Sequence, residues 1–215
     1  FQAVFAIITV ALISGAIADR ARFGPWMLFS GIWATVVYFP VAHWVFAFDG
    51  AESEKGGWIA NKLLAIDFAG GTAVHINAGA AGLALAIVLG KRLGWRRDPM
   101  RPHNLPLVMI GAGLLWFGWF GFNGASQLAL GTLEDAASVG RVVVNTNTAA
   151  AAGVIVSMVI MQILYKKVDV TMALNGALGG LVAITAEPLT PTFLSAAIIG
   201  GIGAALVVVT VPLLD

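Results

Sequence analysis

The sequence contains no cysteine and very little charge, and each shortage removes a class of protein. Without cysteine there is no disulfide framework, thiolate nucleophile or thiolate metal site, so cysteine usage says nothing about compartment. Charged residues make up 11% of the 215 residues and hydrophobic ones 59%, with a mean hydropathy of +0.91. A soluble domain needs about 25% charged residues to coat its surface. The formal net charge of +1 gives no electrostatic case for nucleic acid as a partner. No basic n-region with a small-residue cleavage site marks a signal peptide. The chain opens at Phe1 inside an apolar run and stops at Asp215 straight after another, which leads us to expect an internal stretch of a longer protein.

What is present is apolar sequence in long blocks. Crossing about 30 Å of hydrocarbon takes roughly 20 helical residues. Runs of that kind occupy approximately 1–18, 26–48, 68–90, 104–129, 139–165, 170–186 and 192–213, the first and sixth being short. The 26 glycines lie inside these runs rather than in a linker, as small residues do where helix backbones approach closely in lipid. These features predict an all-α, polytopic transmembrane helix bundle of about seven helices, with 1–215 forming one partial transmembrane domain in contact with lipid.

The loops between the runs alternate in charge. Arg20, Arg22, Lys91, Arg92, Arg96, Arg97, Arg101, Lys166 and Lys167, nine of the 12 basic residues, fall on one side. The other side holds Lys55, Lys62 and Arg141 with most of the acids: Asp49, Glu52, Glu54, Asp67, Glu134, Asp135 and Glu187. By the positive-inside rule the first side faces the cytoplasm. The basic loop from Lys91 to Arg101 reads foremost as a topology determinant, with a lipid or partner site as the other reading.

Ionisable groups deep in a bilayer are costly and generally face a protein interior or a pore. His75 is the clear case, about eight residues, or about 12 Å of helical rise, inside the third run. A structural imidazole bonded to a nearby carbonyl would account for a lone buried histidine. Here Gly70, Gly71, Gly79 and Gly82 make the helix slim enough for close packing or a narrow lumen, and a neutral imidazole both donates and accepts a proton. His43 and His103 lie near run ends, where a headgroup or capping role suffices. Asp67 opens the third run, where a carboxylate caps exposed N–H groups, a role weighed against direct cation binding.

The aromatic residues Phe1, Phe5, Trp44, Phe46, Trp119, Phe120 and Phe122 suit interfacial anchoring. An aromatic face can equally replace part of a small cation's hydration shell. Phe122 and Ser126 are four residues apart and so share a helix face. No nucleophile–base constellation accompanies His75, so an enzyme is the least favoured class.

Several motifs, in order along nearly the whole chain, carry a family resemblance. They are Phe5-Ala-Ile-Ile-Thr9, Tyr38-Phe-Pro-Val-Ala-His-Trp44, Asp67-Phe-Ala-Gly-Gly-Thr-Ala-Val-His75-Ile-Asn77, Pro102-His-Asn-Leu-Pro106, Gly118-Trp-Phe-Gly-Phe-Asn-Gly124, Asn145-Thr-Asn-Thr-Ala-Ala-Ala151 and Ile184-Thr185. The sequence resembles the ammonium transporters, the Amt, Mep and Rh proteins, and most closely the microbial and plant Amt pattern. The resemblance implies an eleven-helix fold with an inverted five-plus-five repeat, of which this stretch matches helices three to nine. It implies a homotrimer with one pore per subunit in the cell (plasma or inner) membrane, moving ammonium or ammonia without a cofactor.

It also implies roles. Phe5 and Phe122 resemble the paired gate rings. Ser126, with Trp44 or Phe46, resembles the external ammonium recruitment site, Phe46 standing where many members have Trp. His75 resembles the first of two pore histidines, the second being expected beyond Asp215. Asp67 matches the acid that shapes the vestibule, and Thr185 a pore-lining position. A nitrogen-regulatory signal protein on the cytoplasmic face is an implied partner, to which the loop from Lys91 to Arg101 could contribute. The alternatives are the ammonium-sensing membrane domain of a receptor and an Rh-type gas channel.

Overall fold

In the computed structural model, which describes residues 1–51, 54–98 and 101–214, a helix stands at each of the seven apolar runs. Glu52, counted above with the outer-side acids, lies outside the described residues. Helix α1 spans Gln2–Ile17. Helix α2, Phe23–Trp33, continues through a π-helical turn at Ala34–Tyr38 into α3, Phe39–Phe46. A one-turn helix α4, Trp58–Asn61, precedes a second π-helical segment, Gly71–Ile76, which leads into α5, Asn77–Leu89. Then come α6, Leu105–Gly124, with a 3-10 turn at Ala125–Gln127, α7, Leu133–Tyr165, α8, Val170–Thr185, and α9, Phe193–Leu214. Among the described residues there is no strand, as an all-α bundle requires.

Among the described residues, five continuous helical segments are long and apolar enough to cross a membrane: Phe23–Phe46, Gly71–Leu89, Leu105–Gln127, Leu133–Tyr165 and Phe193–Leu214. Helices α1 and α8 are apolar but have 16 residues each, a length of about 24 Å that falls short of a full hydrocarbon core. Helix α7 has the opposite departure, starting six residues before the apolar run that predicted it. A reciprocal capping box explains the early start: Thr132 Oγ1 accepts from the Asp135 N–H at 3.1 Å, and Asp135 Oδ2 accepts from the Thr132 N–H at 3.0 Å. Asn104 caps α6 by accepting from the Leu107 N–H at 3.1 Å. Asp169 caps α8, where the Thr171 hydroxyl and then the Met172 N–H hold its carboxyl below the usual carboxylate range.

The chain forms two compact units, Phe1–Pro99 and Met100–Asp215. In the first, α1 packs along α5 and buries Phe5, Thr9, Ile13 and Ile17, one residue per turn on a single stripe. The Arg20 guanidinium donates to the Gly90 carbonyl at 2.9 Å, placing a cation at the carbonyl end of α5. In the second unit α7, α8 and α9 pack on one another. Outward-facing side chains are large and apolar, among them Val88, Phe117 and Leu206, the reverse of a soluble surface.

Backbone-to-backbone packing sets the second unit. Ala149 on α7 is fully buried, and a side chain at either Gly180 on α8 or Gly200 on α9 would fall on its backbone. In lipid, where apolar burial does not drive helices together, such close approach supplies van der Waals contact over long lengths. Because the obstructing atoms are backbone, they cannot rotate away. Gly200→Leu is therefore expected to lower the thermal midpoint of the full-length protein in detergent by 10 °C or more, roughly the upper end of overpacking costs. Gly113→Ala, where nothing lies within 4 Å, should leave it unchanged. Equal midpoints for Gly200→Leu and the unsubstituted protein would refute this packing scheme.

Candidate functional site

The entry to the third span is built by one carboxylate. Asp67 Oδ1 accepts from the N–H groups of Gly70 at 2.7 Å and Gly71 at 2.6 Å, and Oδ2 from those of Thr72 at 2.8 Å and Ala73 at 3.0 Å. The first turn of a helix leaves about four N–H donors without intrahelical partners, and here one side chain satisfies that number. The tight approach requires Gly70 in a left-handed conformation, φ +95°, which glycine adopts without strain. The N–H of His75 then reaches back to the Gly70 carbonyl at 3.1 Å, a five-residue closure that makes the π-helical turn. Such turns are uncommon and recur at functional sites, because they rotate the following side chains relative to an α-helix. His75 is half-buried on this turn, with the fully buried Ala73 and Val74 before it.

Phe5 closes over the same loop. Its ring is buried and lies 3.2 Å from where a Cβ of Gly70 would be, so the absent side chain makes room for the ring. Phe46 meets it edge-on, with ring centroids 6.4 Å apart and planes at 89°, and Phe1 also packs on it, with ring centroids 5.0 Å apart and planes at 70°. Trp44 goes elsewhere: it is exposed and packs against Trp58 of α4 at 6.0 Å. The first unit thus brings together Phe5, Phe46, the Asp67 loop and the start of the span bearing His75, and leaves Trp44 with α4.

The second unit gathers the remaining candidates. The Phe122 ring lies 5.8 Å from that of Trp119, whose indole Nε1 donates to Thr185 Oγ1 at 2.8 Å. Thr185 is fully buried and its own hydroxyl donates to the Leu181 carbonyl at 2.6 Å. Ser126 sits in the 3-10 turn past the end of α6, where its hydroxyl donates to the Phe122 carbonyl at 2.8 Å and keeps its oxygen lone pairs as acceptors.

Two buried amides escaped the sequence reading. Asn123 donates to Thr146 Oγ1 at 3.0 Å, and Asn145 ties the carbonyls of Pro188 and Pro191, at 2.9 and 2.8 Å, to α7. Both stand inside apolar runs, which is a signal in itself, since a buried amide needs a partner. Among the described residues no three His, Asp or Glu side chains gather as a metal site would.

A helical fold with five segments, among the described residues, long and apolar enough to span is that of a multi-pass membrane protein. A model of the Ammonium Transporter Family matches residues 1–215, and the chain belongs to that family. It is 57% identical over 200 residues to an ammonium transporter of Mycobacterium tuberculosis, covering 93% of this chain and 41% of that one. It is 49% identical over 205 residues to an ammonium transporter of Bacillus subtilis, covering 95% and 47%. Among solved structures it resembles Mep2 of Candida albicans, with a TM-score of 0.86, 36% identity, and coverage of 99% of this chain and 45% of that one. A sensor Amt protein matches with a TM-score of 0.86 and 34% identity, over 98% and 51%. The chain spans less than half the length of these two curated relatives.

The Asp67 geometry carries a stability prediction. Asp67→Ala leaves four N–H donors without their acceptor, at about 1–3 kcal/mol for each one that water does not reach. Thermal unfolding of the full-length protein should show a large loss for Asp67→Ala and a smaller one for Asp67→Asn, which retains one acceptor oxygen. An Ala variant as stable as the unsubstituted protein would rule out the capping role.

Proposed function

We propose that this chain supplies much of the conduction path of an ammonium transporter, in which ammonium is captured, deprotonated and passed inward as ammonia. The observation that carries the reading is His75 on a π-helical turn one step inside the Asp67 cap, in a span that beyond Asn77 is built of apolar and small residues. Magnitudes decide the chemistry. An aromatic face attracts a desolvated cation by about 2 kcal/mol. Moving an isolated ammonium ion into a low-dielectric interior costs tens of kcal/mol. Rings can therefore recruit the ion but cannot carry it across, whereas neutral ammonia needs only a hydrogen-bonding partner.

The assigned roles follow. Phe46 offers the recruiting face, favoured over Trp44 because it contacts Phe5, whereas Trp44 is paired with Trp58. Ser126 contributes an acceptor oxygen, and Phe5 and Phe122 act as gate rings. His75 lines the apolar passage and exchanges hydrogen bonds with ammonia. The proton stays outside or travels separately through imidazole groups. Asp67 shapes the entry through the backbone it holds. Thr185, assigned to the pore wall by resemblance, contributes there through the Trp119 indole it anchors. The complete protein is a trimer in the cell membrane, with a nitrogen-regulatory signal protein as a cytoplasmic partner.

A second reading, an ammonium sensor built on the same helices, is favoured by the likeness to the sensor Amt protein. Uptake of labelled methylammonium by the full-length protein in vesicles separates the two. A transporter gives uptake that falls at least tenfold in His75→Ala, while Phe46→Ala raises KM by about tenfold and Trp44→Ala leaves it near its starting value. No uptake by the unsubstituted protein would favour the sensor, and undiminished uptake by His75→Ala would overturn the assigned histidine role.

A further inference from the structure

Two hydroxyls lie buried where α1 meets the second span, and the passage described above uses neither. Thr9 is fully buried and Tyr38 nearly so. A buried hydroxyl needs a partner, and here the partners form a sequence. Thr9 Oγ1 donates to the Phe5 carbonyl at 2.5 Å, one turn back along α1. That bond uses the single proton of the threonine hydroxyl, so towards any other group its oxygen can only accept. Tyr38 is the donor that meets it, its side chain hydrogen-bonding to Thr9 from the neighbouring helix. Tyr38 holds Thr9, and Thr9 holds the residue that carries the Phe5 ring.

The backbone at Tyr38 is as unusual as that at His75. Tyr38 is the last residue of the π-helical turn Ala34–Tyr38, closed by the N–H of Phe39 on the Ala34 carbonyl. Pro40 follows, with no N–H to close an ordinary turn on Val36. Helix α1 packs against this turn, and the Asp67 carboxylate lies within electrostatic reach of the Tyr38 hydroxyl. The two hydroxyls therefore stand beside the loop that seats Phe5. Gly70 and Phe46 act on the ring itself. The Thr9 bond acts on the backbone from which the ring hangs. Hydrogen bonds between helices in lipid generally serve as glue, but glue has no need to end on this one carbonyl.

We propose that Thr9 and Tyr38 are positioning residues for Phe5: the two bonds in series hold its backbone so that the ring stays in the seat made by Gly70 and Phe46. The consequence for uptake rests on the transporter reading, since a displaced Phe5 slows passage only where that ring is a gate.

Fluorine NMR reads the ring directly, with 4-fluorophenylalanine in place of Phe5 in the full-length protein. Thr9→Val and Tyr38→Phe each remove a hydroxyl and keep nearly the same volume. Each should shift the fluorine resonance and broaden it at least twofold, and Thr9→Ser, which keeps the hydroxyl, should restore it. Ser14→Ala, which removes an exposed hydroxyl bonded along the same helix, should change nothing. In vesicles, the maximal uptake rate per folded protein should fall about three- to tenfold in each single variant, the range of one net hydrogen bond. KM should stay within about twofold. The double variant should be no slower than the slower single one, because the two hydroxyls act as a unit. An unchanged resonance in both Thr9→Val and Tyr38→Phe overturns the proposal, as do rate losses that multiply in the double variant. Absence of uptake by the unsubstituted protein would count against the transporter reading instead, and the fluorine spectrum would still decide the positioning role.

Discussion

One carboxylate closing over four backbone donors fixes where the span carrying His75 begins. The N–H groups that start a helix have no intrahelical acceptors and must find others. Asp67 provides them from three to six residues upstream, and the geometry forces Gly70 into a left-handed conformation and the chain into a π-helical turn. The phase of His75 and the seat for the Phe5 ring both depend on that turn. Asp67 thus sets the start of this span through the backbone it holds.

The same constraint organises the rest of the molecule. Several buried polar side chains inside apolar helices are bound to something definite: Thr185 to Leu181 and Trp119, Asn123 to Thr146, Asn145 to two prolyl carbonyls. The apolar helices gain little from burying grease in lipid and instead approach backbone to backbone where glycines permit. Polar pairs specify where helices meet, and small residues determine how closely. Such a frame holds the aromatic rings of Trp119 and Phe122 in place.

The helices were legible in the sequence because their signal is compositional: seven apolar runs and loops of alternating charge correspond to seven helical segments. Their ends were less so. The extension of α7 outward to Leu133 follows from the Thr132–Asp135 capping box, which hydropathy does not weigh. The π-helical turns at Ala34–Tyr38 and Gly71–Ile76 leave no compositional trace, and the second follows the Asp67 cap. Phe5, Phe46, Asp67 and His75 could be named from motif and spacing, but which aromatic meets Phe5 could not. Trp44 and Phe46 are two residues apart, and only the position of Trp58 separates their fates. Likewise, the four-residue spacing puts Phe122 and Ser126 on one α-helical face, whereas α6 ends between them and turns Ser126 into a 3-10 segment bonded to the Phe122 carbonyl.

Potassium offers the sharpest test of the central claim, that the conducted species is ammonia released from a captured cation. The potassium ion is close to ammonium in size and charge and attracted by the same aromatic faces, but it has no proton to lose. In vesicles containing the full-length protein, ammonium should be taken up while potassium, under the same gradient, is not. Potassium flux comparable to that of ammonium would contradict deprotonation and mean that the cation itself crosses.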